Sequence, residues 1–220
     1  MITLDHITKT YPVGGGLTVL DDVCLDIAQG EYLGILGPSG SGKSTMLHIM
    51  GLLDRPTSGH LAFDGRPVNA LDDKELSTMR GRLVGFVFQS FHLVPQLSVS
   101  ENVELPLFYQ GVPRRQRRAR AAKALDEVGM SPRRGHLPAQ LSGGERQRTA
   151  IARALVTEPA LILADEPTGN LDSRTGGDIV ALLERLHGEG RTIVMITHDR
   201  DIAAQLPRVV HIRDGKLEEQ

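Results

Sequence analysis

"EYLGILGPSGSGKST", residues 31–45, decides the fold. Its first half is a short apolar run of the kind that makes a buried strand. Its second half, Gly37 to Ser44, has the spacing G-x-x-x-x-G-K-[ST] of a phosphate-binding loop. Gly37, Gly40 and Gly42 let successive backbone N–H groups curl around an anion with no Cβ in the way. Pro38, Ser39, Ser41 and Thr45 complete the stretch, Lys43 reaches the terminal phosphates of a nucleotide, and Ser44 offers its hydroxyl to Mg²⁺. The strand before and the helical pattern after supply the context that such a loop requires.

Working outward, the chain falls into three zones. Over residues 1–88, β-rich runs (2–11, 17–27, 31–36, 60–64, 84–88) alternate with helical segments near 43–52 and 72–82. Strand signals vanish over 90–157. There "SVSENVELPLFYQG" and "RRQRRARAAKALDEVG" read as helices, the second with Ala121, Ala122, Leu125 and Val128 on one face. Pro132 and Pro138 mark a loop before "LSGGERQR", residues 141–148. Ser142 and Glu145 have capping-box spacing, so this stretch opens a helix, and the two glycines between them keep its first turn uncrowded. Such a helix start favours an anion, which gives the chain a second phosphate-facing element. From residue 158 the α/β pattern returns: strand "ALILA", helix 173–188, strand "TIVMIT", a short helix, strand "RVVHI" and a turn at Gly215. The expectation is one domain, 1–220, with an α/β core and β subdomain built from 1–88 and 158–220. The core sheet is mostly parallel, the β subdomain antiparallel, and residues 90–157 form a helical insertion.

Composition narrows the function. A chain of 220 residues with a net charge of −2 has no global reason to bind nucleic acid. The basic run "RRQRRAR" (114–120) has no interleaved aromatics and reads as a solvated helix face. Cys24, the single cysteine, suits a reducing compartment. Lying in an apolar-alternating stretch, it is expected to be an inert core thiol. The N-terminus alternates like a strand and lacks the layout of a signal peptide. No run approaches the roughly 18 apolar residues that cross a bilayer. The expectation is a soluble cytoplasmic protein that meets a membrane only through a partner.

"LILADEP" (161–167) supplies a second half of chemistry. A buried strand ending in an acid places Asp165 at the carboxyl edge of the sheet, where it can hold Mg²⁺ or its water shell. Glu166 can then take a proton from the attacking water. Gln89 ends "VGFVF" and His198 ends "TIVMIT". From those strand ends Gln89 could sense metal and water, and His198 could contact the γ-phosphate. Taken singly, each is an ordinary strand-end polar residue.

Together these marks resemble the ATP-binding cassette (ABC) ATPases over essentially the whole chain. The phosphate loop 37–45, Gln89, "LSGGE" 141–145, "LILADE" 161–166, "NLD" 170–172 and His198 stand in the family's order. The resemblance implies the P-loop α/β fold, ATP and Mg²⁺ as ligands, and Tyr11 stacking on adenine. It places Asp172 at the nucleotide and Gln89 beside the metal with Ser44 and Asp165. It also implies a head-to-tail homodimer in which Ser142, Gly143, Gly144 and Glu145 of one copy face the ATP held by Lys43 of the other. A separate transmembrane permease subunit would dock near Gln89–Val103, tethering the cassette to the cytoplasmic face of the membrane. Phe91, Leu93 and Val94 could wall that groove or belong to the core. "GLLDRPTSG", "SVSENVELPL" and "ADEPTGNLDS" are most similar to lipoprotein-releasing and macrolide-exporting cassettes, with Arg146 and Thr149 as small departures. A cell-division cassette and a soluble iron–sulfur-assembly ATPase remain as alternatives. The chain stops soon after "DGKLEE", so no C-terminal regulatory domain is expected, and the transported substrate is not encoded here.

Overall fold

The run before the phosphate loop becomes β3 (Tyr32–Leu36), buried from Tyr32 to Ile35 on both faces, as a parallel strand flanked by other layers must be. The computed structural model describes residues 1–219 and divides the chain into two compact units: Met1–Arg80 with the segment from Gly190 onward, and Gly81–Glu189.

In the first unit, β1 (Ile2–Tyr11), β2 (Leu17–Ile27), β4 (Ser58–Phe63) and the short β5 (Arg66–Pro67) form an antiparallel sheet in the order β2-β1-β4-β5. β3 pairs in parallel with β8 (Thr192–Thr197) on one side and β9 (Arg208–Arg213) on the other; β10 (Lys216–Glu219) runs antiparallel to β9. The β3–β8 register matches Leu36 with Thr197, so Gly37 and His198 leave the same sheet edge. Helix α1 (Lys43–Met50) lies against β8 with Met46, Leu47, Ile49 and Met50 fully buried. Burial of each such side chain contributes about 1.5–3 kcal/mol, which anchors the helix that begins in the loop. Helix α7 (Arg200–Ala203) follows His198, and α2 (Asp73–Leu83) leads from the first unit into the second.

In the second unit, β6 (Val84–Phe88) and β7 (Leu161–Asp165) pair in parallel with Phe88 opposite Asp165. Gln89 and Glu166 therefore emerge side by side. Helices α3 (Val99–Tyr109), α4 (Arg114–Glu127), α5 (Gly143–Leu155) and α6 (Ser173–Gly188) complete the unit, with α5 packed against the other three and against β6. Both α3 and α5 start with a full capping box, Ser98 with Glu101 and Ser142 with Glu145.

Two sequence expectations fail. Cys24 is exposed rather than in the core: on β2 the residues Val23, Leu25 and Ile27 turn inward, and the alternation turns Cys24 out. Ala122 is exposed and Ala124 takes its place on the buried face of α4, because 121, 124, 125 and 128 make the contiguous helical stripe and 122 lies about 100° away from 121. Arg114, Arg115 and Arg118 are solvated, as read. Arg117 instead folds back, donating to the Val112 carbonyl at 2.8 Å beside the Phe108 ring. Phe91 and Leu93 are half-buried and Val94 is exposed.

Candidate nucleotide site

The first unit builds a phosphate cradle. Gly42 caps α1 with φ 108°, a left-handed conformation, and a Cβ there would lie 2.7 Å from the Val19 carbonyl oxygen; only glycine fits. Lys43 is 7 % exposed, and its Nζ donates to the carbonyls of Gly37 at 2.9 Å and Pro38 at 2.8 Å, so the ammonium lies inside the curve of the loop. The Ser41 hydroxyl is buried with no hydrogen-bond partner among the described residues. A buried orphan donor, a helix N-terminus and an inward ammonium together suit a phosphate. Gly37 and Pro38 also line a cavity of about 480 Å³ shared with His198, Arg200, His211, Arg213 and Glu218, which brings His198 to the loop beside two arginines.

Tyr11 reaches the same helix. Its hydroxyl donates to Asp54 at 2.8 Å and also interacts with Thr45, while Lys9 sits 4.8 Å from its ring centre. Burial, and then the bond to Asp54, raise its pKa, so it stays a neutral phenol with its ring braced beside the phosphate loop.

The second unit gathers the acids. Asp165 closes β7, and Glu166 follows with φ 45°, a left-handed conformation that residues other than glycine seldom adopt. The Gly169 N–H donates to the Glu166 carbonyl at 3.0 Å, closing a turn. Gln89 packs into that turn: a Cβ on Gly169 would stand 2.5 Å from Gln89 Nε2. Asn170 Nδ2 donates to the Gln89 carbonyl at 3.0 Å. Asn170, the first residue of "NLD", thus secures Gln89. Asp172 caps α6, accepting from the Thr175 N–H at 3.0 Å and its hydroxyl at 2.7 Å, and these bonds hold its carboxyl below the usual range.

The "LSGGE" start is built inward as well as outward. Ser142 is exposed; its Oγ accepts from the Glu145 N–H at 3.3 Å, and Glu145 accepts from the Ser142 N–H and from Arg133 Nε, each at 2.9 Å. The Ser142 N–H is the largest influence depressing the Glu145 pKa. A Cβ on Gly144 would lie 2.5 Å from the Thr175 methyl, and one on Gly143 3.0 Å from Leu171. The glycines therefore also let α5 approach α6, a role that reading them only as open space misses.

Three residues escaped the sequence reading. Gln147 is fully buried on α5 and donates to the carbonyl of Pro167 at 2.7 Å and, more weakly, of Phe88 at 3.4 Å, the residues next to Glu166 and Gln89. Asn102, also fully buried, donates to the carbonyls of Val94, Leu97 and Ser98 and accepts from the Val94 N–H. Arg153 donates to the carbonyls of Phe91 and His92, two residues with left-handed φ. The last two pin the segment after Gln89. The available signal was a polar residue at i, i+3, i+4 spacing with an apolar helix face, as Gln147 stands with Ala150 and Ile151.

Comparison with known proteins identifies the family. The family model described as "ABC transporter" matches residues 20–169. The ABC transporter ATP-binding protein YknY of Bacillus subtilis is 50% identical over 99% of this chain and 95% of its own length. The macrolide export ATP-binding/permease protein MacB 1/2 of Paracoccus denitrificans is also 50% identical over 99% of this chain, which spans 33% of that longer protein. Among solved structures, the dimeric bacterial ABC transporter cassette MJ0796 is 46% identical with a TM-score of 0.89, covering 100% of this chain and 98% of that one. A further structure of it is a post-hydrolysis dimer bound to ADP and Pi. The chain belongs to the ABC transporter family as one of its ATP-hydrolysing nucleotide-binding cassettes.

Proposed function

We propose that this cassette pairs head-to-tail with a second copy around two Mg-ATP and drives a membrane permease of the macrolide-export or lipoprotein-release type. The observation that carries the reading is the likeness to MacB, whose name joins an ATP-binding part, half identical to this chain, to a permease. The dimeric state of MJ0796 supports the pairing.

In this scheme Lys43 and the loop amides of Gly37–Thr45 hold the β- and γ-phosphates, and Tyr11 stacks on adenine. Glu166 takes the proton of the attacking water, His198 contacts the γ-phosphate, and Asp172 and the "LSGGE" residues Ser142, Gly143, Gly144 and Glu145 lie against nucleotide at the dimer interface. Ser44, Gln89 and Asp165 offer hydroxyl, amide and carboxylate oxygens, a hard donor set that fits Mg²⁺, which when bound would neutralise phosphate charge. The segment Gln89–Val103, held by Asn102 and Arg153, presents the exposed Val94 to the permease. Among the described residues no helix is long and apolar enough to cross a membrane, so attachment to the cytoplasmic face would run through that partner. The domain reading is one cassette, with residues 90–157 as its helical part.

The test is light scattering of Glu166→Gln with Mg-ATP against Mg-ADP. An ATP-dependent dimer that disappears when Ser142→Arg is added is the expected result. A dimer that survives Ser142→Arg refutes the placement of "LSGGE" on the partner's nucleotide.

A further inference from the structure

β1 carries a defect that the nucleotide chemistry does not use. Leu4 pairs with Leu25 and Ile7 with Val23, so two residues of β1, Asp5 and His6, stand opposite one residue of β2, Cys24. This is a β-bulge, which re-aims side chains. In a regular strand Asp5 and His6 would point to opposite faces. Here a carboxylate oxygen of Asp5, a ring nitrogen of His6 and the Cys24 sulfur all lie within 4.8 Å of one another, and all three residues are exposed.

The surroundings arrange the imidazole. Asp22 Oδ1 accepts from His6 Nδ1 at 2.7 Å, while His6 Nε2 stands 3.8 Å from Asp5 Oδ1. His6 and Asp22 are both non-glycine residues with left-handed φ, 51° and 57°, facing each other across the strand pair. The His6 N–H donates to Cys24 Sγ at 3.3 Å, which holds the sulfur at the bulge.

We propose that Asp5, His6 and Cys24 form a zinc-binding site, with Asp22 holding the His6 ring through Nδ1. A thiolate, an imidazole and a carboxylate are the donors that Zn²⁺ takes, and the sulfur selects it over Mg²⁺ or Ca²⁺. A carboxylate on Nδ1 fixes the tautomer whose Nε2 lone pair faces a metal. Zinc–ligand bonds of about 2.0–2.3 Å put the donors of a tetrahedral site roughly 3.3–3.8 Å apart. Reaching that spacing from within 4.8 Å shortens the donor separations by about 1–1.5 Å. Binding releases the Cys24 thiol proton to solvent, and water completes the fourth position. The ion would tie β1 to β2 across the bulge.

Because Cys24 is the sole cysteine, a thiolate–metal band reports on this site alone. The full chain, stripped of metal and kept reduced without added thiols or nucleotide, is titrated with Co²⁺. The expected result is one tightly bound Co²⁺ per chain with a thiolate charge-transfer band, displaced by Zn²⁺ and untouched by Mg²⁺. Cys24→Ser should abolish the band, and Asp22→Asn should weaken affinity about 10–100-fold. A second readout uses the wild-type chain: Zn²⁺ should slow alkylation of Cys24 by iodoacetamide tenfold or more, and should have no such effect in His6→Gln. Absence of a thiolate band at saturating Co²⁺, a band that survives His6→Gln, or alkylation indifferent to Zn²⁺ would each overturn the proposal.

Discussion

Gln147→Leu separates positioning from packing. The side chain is fully buried, donates a 2.7 Å bond to Pro167 and a 3.4 Å bond to Phe88, and its Oε1 is buried with no partner among the described residues. Losing the donor leaves the Pro167 carbonyl unpaired, at a cost of about 1–3 kcal/mol. Leucine of similar size also removes the orphaned Oε1, whose desolvation penalty is of the same order. The two terms oppose, so net stability should change by less than about 2 kcal/mol. Activity should respond more. With Glu166 as the base, freeing Pro167 after it and Phe88 before Gln89 costs roughly 10–10²-fold in kcat, the scale of a misplacement of about 1 Å. KM for ATP should move little, because the bonds of Gln147 go to Phe88 and Pro167 and to no residue of the phosphate loop. Urea unfolding and steady-state ATPase assays on the same preparation measure both effects. Gln147→Glu should be worse on both counts, since a carboxylate would face two carbonyls. A Gln147→Leu cassette with wild-type kcat, or one whose loss of activity follows its fraction unfolded, refutes the positioning role.

Asn102→Ala removes four hydrogen bonds from a fully buried side chain and should lower unfolding free energy by about 2–4 kcal/mol, read from the urea midpoint. Two helix glycines should respond with opposite signs. Gly177→Ala meets nothing within 4 Å and should stabilise by about 0.5–1 kcal/mol. Gly144→Ala should destabilise by about 1–3 kcal/mol through the Thr175 methyl, and adding Thr175→Ser, which removes that methyl, should restore much of the loss in thermal melts. The folded pKa of Glu145 is depressed, so its contribution is present above the unfolded pKa and lost as the pH falls through the folded one. Glu145→Gln should therefore show a flatter fall in urea midpoint below about pH 4.3, and an unchanged slope there would exclude the capping carboxylate as its source.

The sequence alone determined most of the architecture, because its signals are local. Periodicity, the phosphate-loop spacing and the Ser142–Glu145 box each depend on residues within one turn or strand, and β3, α1, β7, α5 and α6 formed within a residue or two of where they were read. The strand-end residues were legible for the same reason: Gln89, Glu166 and His198 each directly follow a short apolar run that became a strand. Tertiary structure decided what depends on pairing between distant segments. Only packing of α5 under the two strand ends gave Gln147 its carbonyls, and only the approach of α6 crowds a Cβ at Gly144. The bulge at Asp5 and His6 has no signature within β1, since it exists only relative to β2. Cys24 was misplaced for that reason: alternation tells which residues share a face, but the sheet's packing decides which face is turned to water.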